Sequence, residues 1–369
     1  MDARKPTEEI VLLTKEGKIW KEECQCAWVP RYPKASPETA TIQIFHSQNI
    51  VLKNLIFKNA WPTHIGIVDS KNISIMKNSF YGGTFAIHAE GEKTHSICLD
   101  SNYWSQDTTI DHKLWNEWEW KHAHHGRRGY LNGAFFGSEN IRGNILISKN
   151  IIHDAFNVLR MDFDQSACLN KDCARYVNKD VTFINNELKR IRDNVIEPEW
   201  IANGKWYIAY NEITNAHADI SLDSVHNPDK KGLFLLFKNR FIKHSKPSMN
   251  SPLGTDVDLN NGGKILKLPK KKLTLHECDG QTVNGYPFIN LVLQENYIDT
   301  YQDEQNTSTN IMKGIIPRGT ALTNWGKNQI EGECKITSFG AGPSLTDVCD
   351  SLSDKPIMRM VPPRMIQSR

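Results

Sequence analysis

Ile73-Ser-Ile-Met-Lys-Asn78-Ser-Phe is the stretch that decides the fold: an alternating apolar strand, an asparagine, then a second short apolar strand. The same sentence is written as Ile50-Val-Leu-Lys-Asn54-Leu-Ile-Phe and Ile97-Cys-Leu-Asp-Ser-Asn102-Tyr-Trp. It returns at Ile145 to Ile152 around Asn150, at Val181 to Leu188 around Asn186 and at Trp206 to Ile213 around Asn211. The last copies surround Asn239 and Asn296. The strands alternate with period two, which excludes a helical solenoid. A coil of short strands cannot bury its own apolar face, but coils stacked at about 4.8 Å pair as parallel sheets around a continuous core. Asparagine suits a corner because it tolerates left-handed backbone, and its amide both donates and accepts along a stack. The expected fold is therefore all-β, a right-handed single-stranded parallel β-helix of about 8–10 coils.

Working outward, residues 1–40 read as an N-terminal cap, 41–302 as the β-helix and 303–369 as a C-terminal cover, because open strand edges invite aggregation. Insertions are expected at 104–128, rich in Trp, His and Arg, and at 246–287, which holds the basic run Lys270 to Lys272. At 369 residues the chain exceeds an ordinary domain, but repeat folds grow by adding coils. Hydrophobic residues make up 39% and charged residues 24%, with a net charge of +3. So small a charge argues against nucleic acid as a partner. The longest apolar runs, such as Leu233 to Phe237, are too short to span a bilayer. No P-loop or dinucleotide fingerprint is present, so no nucleotide cofactor is expected. The eight cysteines form no metal framework; Cys168-x4-Cys173 and Cys24-x-Cys26 are local pairs, read as a mixture of buried thiols and one or two disulfides. No leader precedes Lys5. The expectation is a secreted or periplasmic protein whose leader lies outside this chain, with the cytoplasm as the alternative.

The eight asparagine-centred repeats from Thr41 to Asp299 resemble the pectin-lyase-like superfamily of parallel β-helices. That resemblance implies polysaccharide lyase, glycoside hydrolase or uronate epimerase chemistry, or a non-catalytic glycan-binding role. It assigns no catalytic residue, so the site must come from this chain.

A second set of strands supplies it: Ala86-Ile-His-Ala-Glu90, Val158-Leu-Arg-Met-Asp162, Val195-Ile-Glu-Pro-Glu199 and Asp219-Ile-Ser-Leu-Asp223. Alternation sends Ile87, Leu159, Ile196 and Ile220 inward. His88, Arg160, Glu197 and Ser221 then form one outward column, with Glu90, Asp162, Glu199 and Asp223 in the next. Asp69 is expected to extend the acidic column one coil earlier, and Glu139 to fill the coil of the long insertion. Stacked carboxylates repel unless a cation, an arginine or a shared proton relieves them. Ca2+ on Asp162, Glu199 and Asp223 is one expectation, and Arg160 another. His153, Asp154, Arg190 to Asp193 and His217 frame the column in the turns before the outer strands.

These residue types predict a carbohydrate-active enzyme working on an acidic polysaccharide. The leading expectation is a polysaccharide lyase that β-eliminates a uronic-acid polymer, with Arg160, Arg192 and His217 as catalytic groups. Glycoside hydrolysis through Glu197 and Glu199 is the alternative, followed by C5-epimerisation and glycan binding without turnover. His88, Trp115, Trp118, His125, Arg127, Arg128 and Arg190 are the expected substrate contacts, by stacking on sugar rings or by pairing with carboxylates.

Overall fold

The computed structural model describes residues 35–58, 60–108, 131–169, 172–222, 225, 233–243, 264–267, 291–294, 296–300, 324–326 and 329–331. Its strands form three parallel sheets of eight, nine and nine strands, and each coil contributes one strand to each sheet in turn. The chain is a parallel β-helix. The first sheet takes Ala40–Phe45, Thr63–Val68, Phe85–Glu90, Ala134–Glu139, Asn157–Asp162, Asn194–Pro198, Ala218–Ser221 and Lys264–Lys267 from coils 1 to 8. Coil 1 continues through Gln48–Lys53 and Ile56–Lys58 into the second and third sheets, and later coils repeat that order.

Period-two burial makes the core. In the second sheet Ile73 and Ile75, Ile97 and Leu99, Ile145 and Ile147, and Val181 and Phe183 point inward one above another. Trp206 and Phe234 continue that column with rings 5.4 Å apart and nearly coplanar. Equivalent side-chain slots recur at coil spacing, so apolar side chains, aliphatic and aromatic, stack on one another through the core.

The asparagine ladder is real, but its phase differs from the sequence reading at one end. Each amide Nδ2 of Asn78, Asn102, Asn150, Asn186, Asn211 and Asn239 donates to Oδ1 of the next asparagine, at 2.9–3.2 Å. The backbone N–H of each also donates to that same oxygen at 2.9–3.1 Å. Asn54 stands outside this ladder. Lys53 pairs with Met76, so Leu55 occupies the slot of Asn78, and its N–H donates to Asn78 Oδ1 at 2.8 Å.

The left-handed residue is also not the ladder asparagine but the one before it. Lys77, Ser101, Lys149, Asn185, Tyr210 and Lys238 have φ between 52° and 57°, and Asn54 has 59°. The expectation that asparagine is chosen for left-handed geometry is thus corrected. The corner residue points outward and accepts almost any side chain, while the buried slot after it needs an amide with both hydrogen-bonding senses.

Two boundaries differ from expectation. Lys264–Lys267, inside the segment read as an insertion, pairs with Ala218–Ser221 and belongs to the first sheet. Asn324–Gly326 and Gln329–Glu331 pair onto the second and third sheets, so a partial ninth coil lies beyond residue 302. Before the first strand, Pro37–Thr39 forms a turn of 3-10 helix. Among the described residues no helix is long and apolar enough to cross a membrane.

One core polar group gives the fold a pH dependence. His64 is fully buried beside Phe57 and Phe80, with Nε2 2.9 Å from the Gly82 carbonyl oxygen. Burial drives its pKa down to about 4, against a weaker upward pull from Gly82. The unfolded chain binds that proton near pH 6.5 and the folded chain does not. Stability is therefore full above pH 6.5 and falls as the pH drops toward 4. A shift of this size corresponds to about 3 kcal/mol. Urea midpoints taken from pH 7 to pH 4 should fall steeply in the wild type and less steeply in His64→Gln.

Candidate functional site

The outward columns of the first sheet form as alternation requires. Gly66, His88, Gly137, Arg160 and Glu197 are aligned across coils 2 to 6. Beside them Val68, Glu90, Glu139 and Asp162 are aligned, and Glu199 follows Pro198, the partner of Met161. Glu139 therefore fills the coil where it was expected. Asp69 does not: Val68 holds that register, and Asp69 lies one residue on, in the left-handed corner at φ 45°.

Two glycines shape the face. A Cβ on Gly66 would lie 2.3 Å from the Pro37 oxygen, so the N-terminal turn covers the columns at coil 2. A Cβ on Gly137 would meet the Phe85 ring at 2.4 Å. That ring stacks on His88 with centroids 4.5 Å apart and planes 12° from parallel. His88 Nε2 also lies 3.7 Å from Glu90 Oε1. Among the described residues the columns continue over coils 5 and 6, where Arg160, Asp162, Glu197 and Glu199 lie together.

Arg160 ties these acids together. Its Nε lies 2.8 Å from Glu199 Oε1 and its Nη2 3.3 Å from Asp162 Oδ2. Nη1 reaches Asn132 Oδ1 at 3.5 Å. Burial opposes the charge on Arg160, but Glu199, Asp162 and Glu197 outweigh it and hold its pKa above the ordinary value. Asp162 is pushed the other way from a normal carboxylate, up to about 7. Burial is the largest cause, followed by a hydrogen bond with Glu199; Arg160 pulls down, and the charges of Glu199 and Glu139 push up. Asp162 thus keeps its proton toward neutrality, and Glu199 beside it completes an acid dyad. Glu197 adds its charge to the pull on Arg160 and accepts from Asn194 Nδ2 at 2.8 Å.

The framing residues lie in third-sheet strands and in the turns that lead from them into the first sheet. Arg190 and Asp154 sit in corresponding left-handed corners and form a bidentate ion pair, with Nη2 2.7 Å from Oδ2. Asp154 is buried, so this pair fastens the corner between coils 4 and 5. His153 lies 3.3 Å from Glu187 on the third sheet, and burial lowers its pKa against the pull of that glutamate. Arg192 is buried and its pKa falls to about 10 through desolvation alone. Half-buried His217 follows one coil later, its N–H donating to the Ile191 oxygen at 2.9 Å. Seven residues of extended chain separate Arg192 from Glu199, roughly 20 Å by strand rise. The arginine–histidine corner and the acid dyad are two places rather than one.

The sequence reading passed over the loop that follows Asp162. Between Asp162 and Lys179 the chain leaves the stack, and Cys168 and Cys173 close this loop with a disulfide. Cys173, Ala174, Val177 and Ile201 form a small second core, with Phe163 and Tyr176 packed on it. Glu92 fastens the loop to coil 3 by accepting from the Leu169 N–H and from Tyr176 Oη. The signal for this loop was the Cys168-x4-Cys173 spacing.

Glu92, Cys168 and Cys173 are also the one group of metal-ligating types at ligand spacing among the described residues, and both its sulfurs are engaged in the disulfide. Trp115, Trp118, His125, Arg127, Arg128 and Asp223 lie outside the described residues, as do the other expected cysteine pair and most of both expected insertions. Cys98 is a free, half-buried thiol whose pKa burial and Asp100 raise to about 11.

No family model, curated protein or solved structure matches the chain.

Proposed function

We propose that this protein is a glycoside hydrolase of the parallel β-helix type, acting on an acidic polysaccharide across the outer face of the first sheet. The reading is carried by the Asp162–Glu199 dyad: a carboxylic acid whose proton is retained up to about pH 7. Hydrolysis needs such an acid for the departing sugar oxygen and a separate carboxylate to take a proton from water. The dyad donates to the glycosidic oxygen as the C–O bond breaks. Water attacks the anomeric carbon and gives its proton to Glu197.

β-Elimination of a uronic-acid polymer is the second reading, favoured by Arg192, whose burial lowers its pKa to about 10 and so makes it a better base. It is ranked lower because elimination needs free positive charge at the substrate carboxylate, and Arg160 already spends its charge on Asp162 and Glu199. Calcium on Asp162 and Glu199 would have to displace both the Asp162 proton and Arg160. The likeness to the pectin-lyase-like superfamily supports either chemistry, and the disulfide fits an oxidising compartment outside the cytoplasm.

Incubation with a panel of uronate-containing and neutral polysaccharides, with calcium or with chelator, separates these readings. New reducing ends whose fragments have gained the mass of water, with no ultraviolet-absorbing product, are expected. Unsaturated product would transfer the assignment to elimination, and glycan left unchanged throughout would defeat both.

A further inference from the structure

We infer that Trp200 is a carbohydrate-stacking platform, forming the sugar subsite next to the acid dyad. Trp200 directly follows Glu199 at the turn from the first to the second sheet in coil 6. Among the described residues two aromatic side chains are exposed, Trp200 at 53% and Tyr210 at 45%. Tyr210 lies at the far corner between the second and third sheets and rests edge-on against Phe237. Trp200 lies at the end of the first-sheet strand that carries Glu197, one residue after Glu199.

Its backbone is what makes the exposure informative. Trp200 has φ +71°, and the Ile201 N–H donates to the Glu199 oxygen at 2.9 Å. Together these describe a γ-turn with the indole-bearing residue at its apex, a strained geometry for any bulky side chain. Glycine or asparagine would take it more easily.

Both flanks of the apex are fixed. The Glu199 N–H donates to the Met161 oxygen at 2.8 Å, and Ile201 is buried in the small core of the disulfide loop. The indole is therefore thrust outward between two anchored neighbours, one of which is a member of the dyad. Among the described residues no ring or cation stacks on it.

A large aromatic held in strained backbone and left facing water among the described residues is placed to meet a ligand. The flat apolar face of an indole matches the C–H face of a pyranose ring. Trp200 follows Glu199 directly, so the ring is carried at the edge of the face that holds the acid dyad. The substrate class is inherited from the hydrolytic reading, but the stacking role does not depend on turnover.

The test measures binding without catalysis. In Glu199→Gln, hexasaccharides of uronic acid and of neutral sugars are titrated by calorimetry, alone and with Trp200→Gly or Trp200→Phe added. Trp200→Gly relieves the left-handed strain, so a melting temperature equal to or above the parent is expected, together with affinity at least 10-fold weaker. Trp200→Phe should remain within about 3-fold of the parent, since an aromatic face remains. In the otherwise wild-type enzyme, Trp200→Gly should raise KM with little change in kcat. Unchanged affinity in Trp200→Gly, or no saccharide bound by the parent, would overturn the assignment. Trp200-dependent binding without any hydrolysis by the wild type would uphold it while removing the hydrolytic reading.

Discussion

Asn150→Ala should cost about 3–5 kcal/mol in urea denaturation, the largest effect expected of any single surface-neutral change in the stack. The side chain is fully buried and makes four hydrogen bonds. Its Oδ1 accepts from both the backbone N–H and the amide of Asn102, at 2.9 and 3.1 Å. Its Nδ2 donates to the Leu99 oxygen and to Asn186 Oδ1, both at 3.0 Å. Truncation leaves two donors of Asn102 buried without an acceptor, each costing about 1–3 kcal/mol, and the methyl group fills none of the space. The opposite expectation holds at Asn54, which lies outside the ladder. Asn54→Gly keeps a left-handed corner with a residue that favours it and should change stability by less than about 0.5 kcal/mol. If the two variants were equally stable, the ladder would be ornament rather than structure. Native coil 1 already illustrates the asymmetry. Leu55 occupies the ladder slot there, and no described coil precedes it to demand an acceptor.

That asymmetry also shows what the sequence could tell. The period was legible because a buried slot with two hydrogen-bonding senses admits asparagine and little else, so the residue recurs at each coil. The error of one position at Asn54 arose at the end of the stack, where the constraint lapses and only the corner remains. Inward and outward positions in the first sheet were legible for the same reason that strands alternate. Which outward groups touch was not. Arg160 turns along its own strand to reach Asp162 and across to Glu199, a choice of rotamers that alternation does not encode. Nor was the distance between Arg192 and Glu199 apparent. Both belong to one short stretch of sequence, but an extended strand converts seven residues into roughly 20 Å. Trp200 was overlooked because an exposed tryptophan at a strand end looks like any other until its backbone is known.

Replacing either member of the dyad should reduce kcat by about 100- to 10,000-fold at neutral pH, equivalent to about 3–5 kcal/mol of barrier. The size of the loss does not by itself separate catalysis from structure, but the pH profile does. Asp162 is raised to about 7 chiefly by burial and then by Glu199, while Arg160 opposes. An acid active in its protonated form gives a rate that declines as pH rises through its pKa. The wild-type kcat/KM should therefore fall above about pH 7. Glu199→Gln removes the hydrogen-bond partner and the charge that raise Asp162, and leaves Arg160 to pair with it. The alkaline limb should then move to lower pH, and part of the lost activity should return in acid. Arg160→Gln removes the opposing charge, so its alkaline limb should move to higher pH. Glu197→Gln should lower the plateau without moving that limb, because Glu197 is not among the groups that set the Asp162 proton. Opposite displacements from two changes on either side of one carboxyl are what a titrating acid requires. A merely structural cluster would lose activity in all three variants with its profile unmoved, and that result would sink the dyad as the source of the catalytic proton.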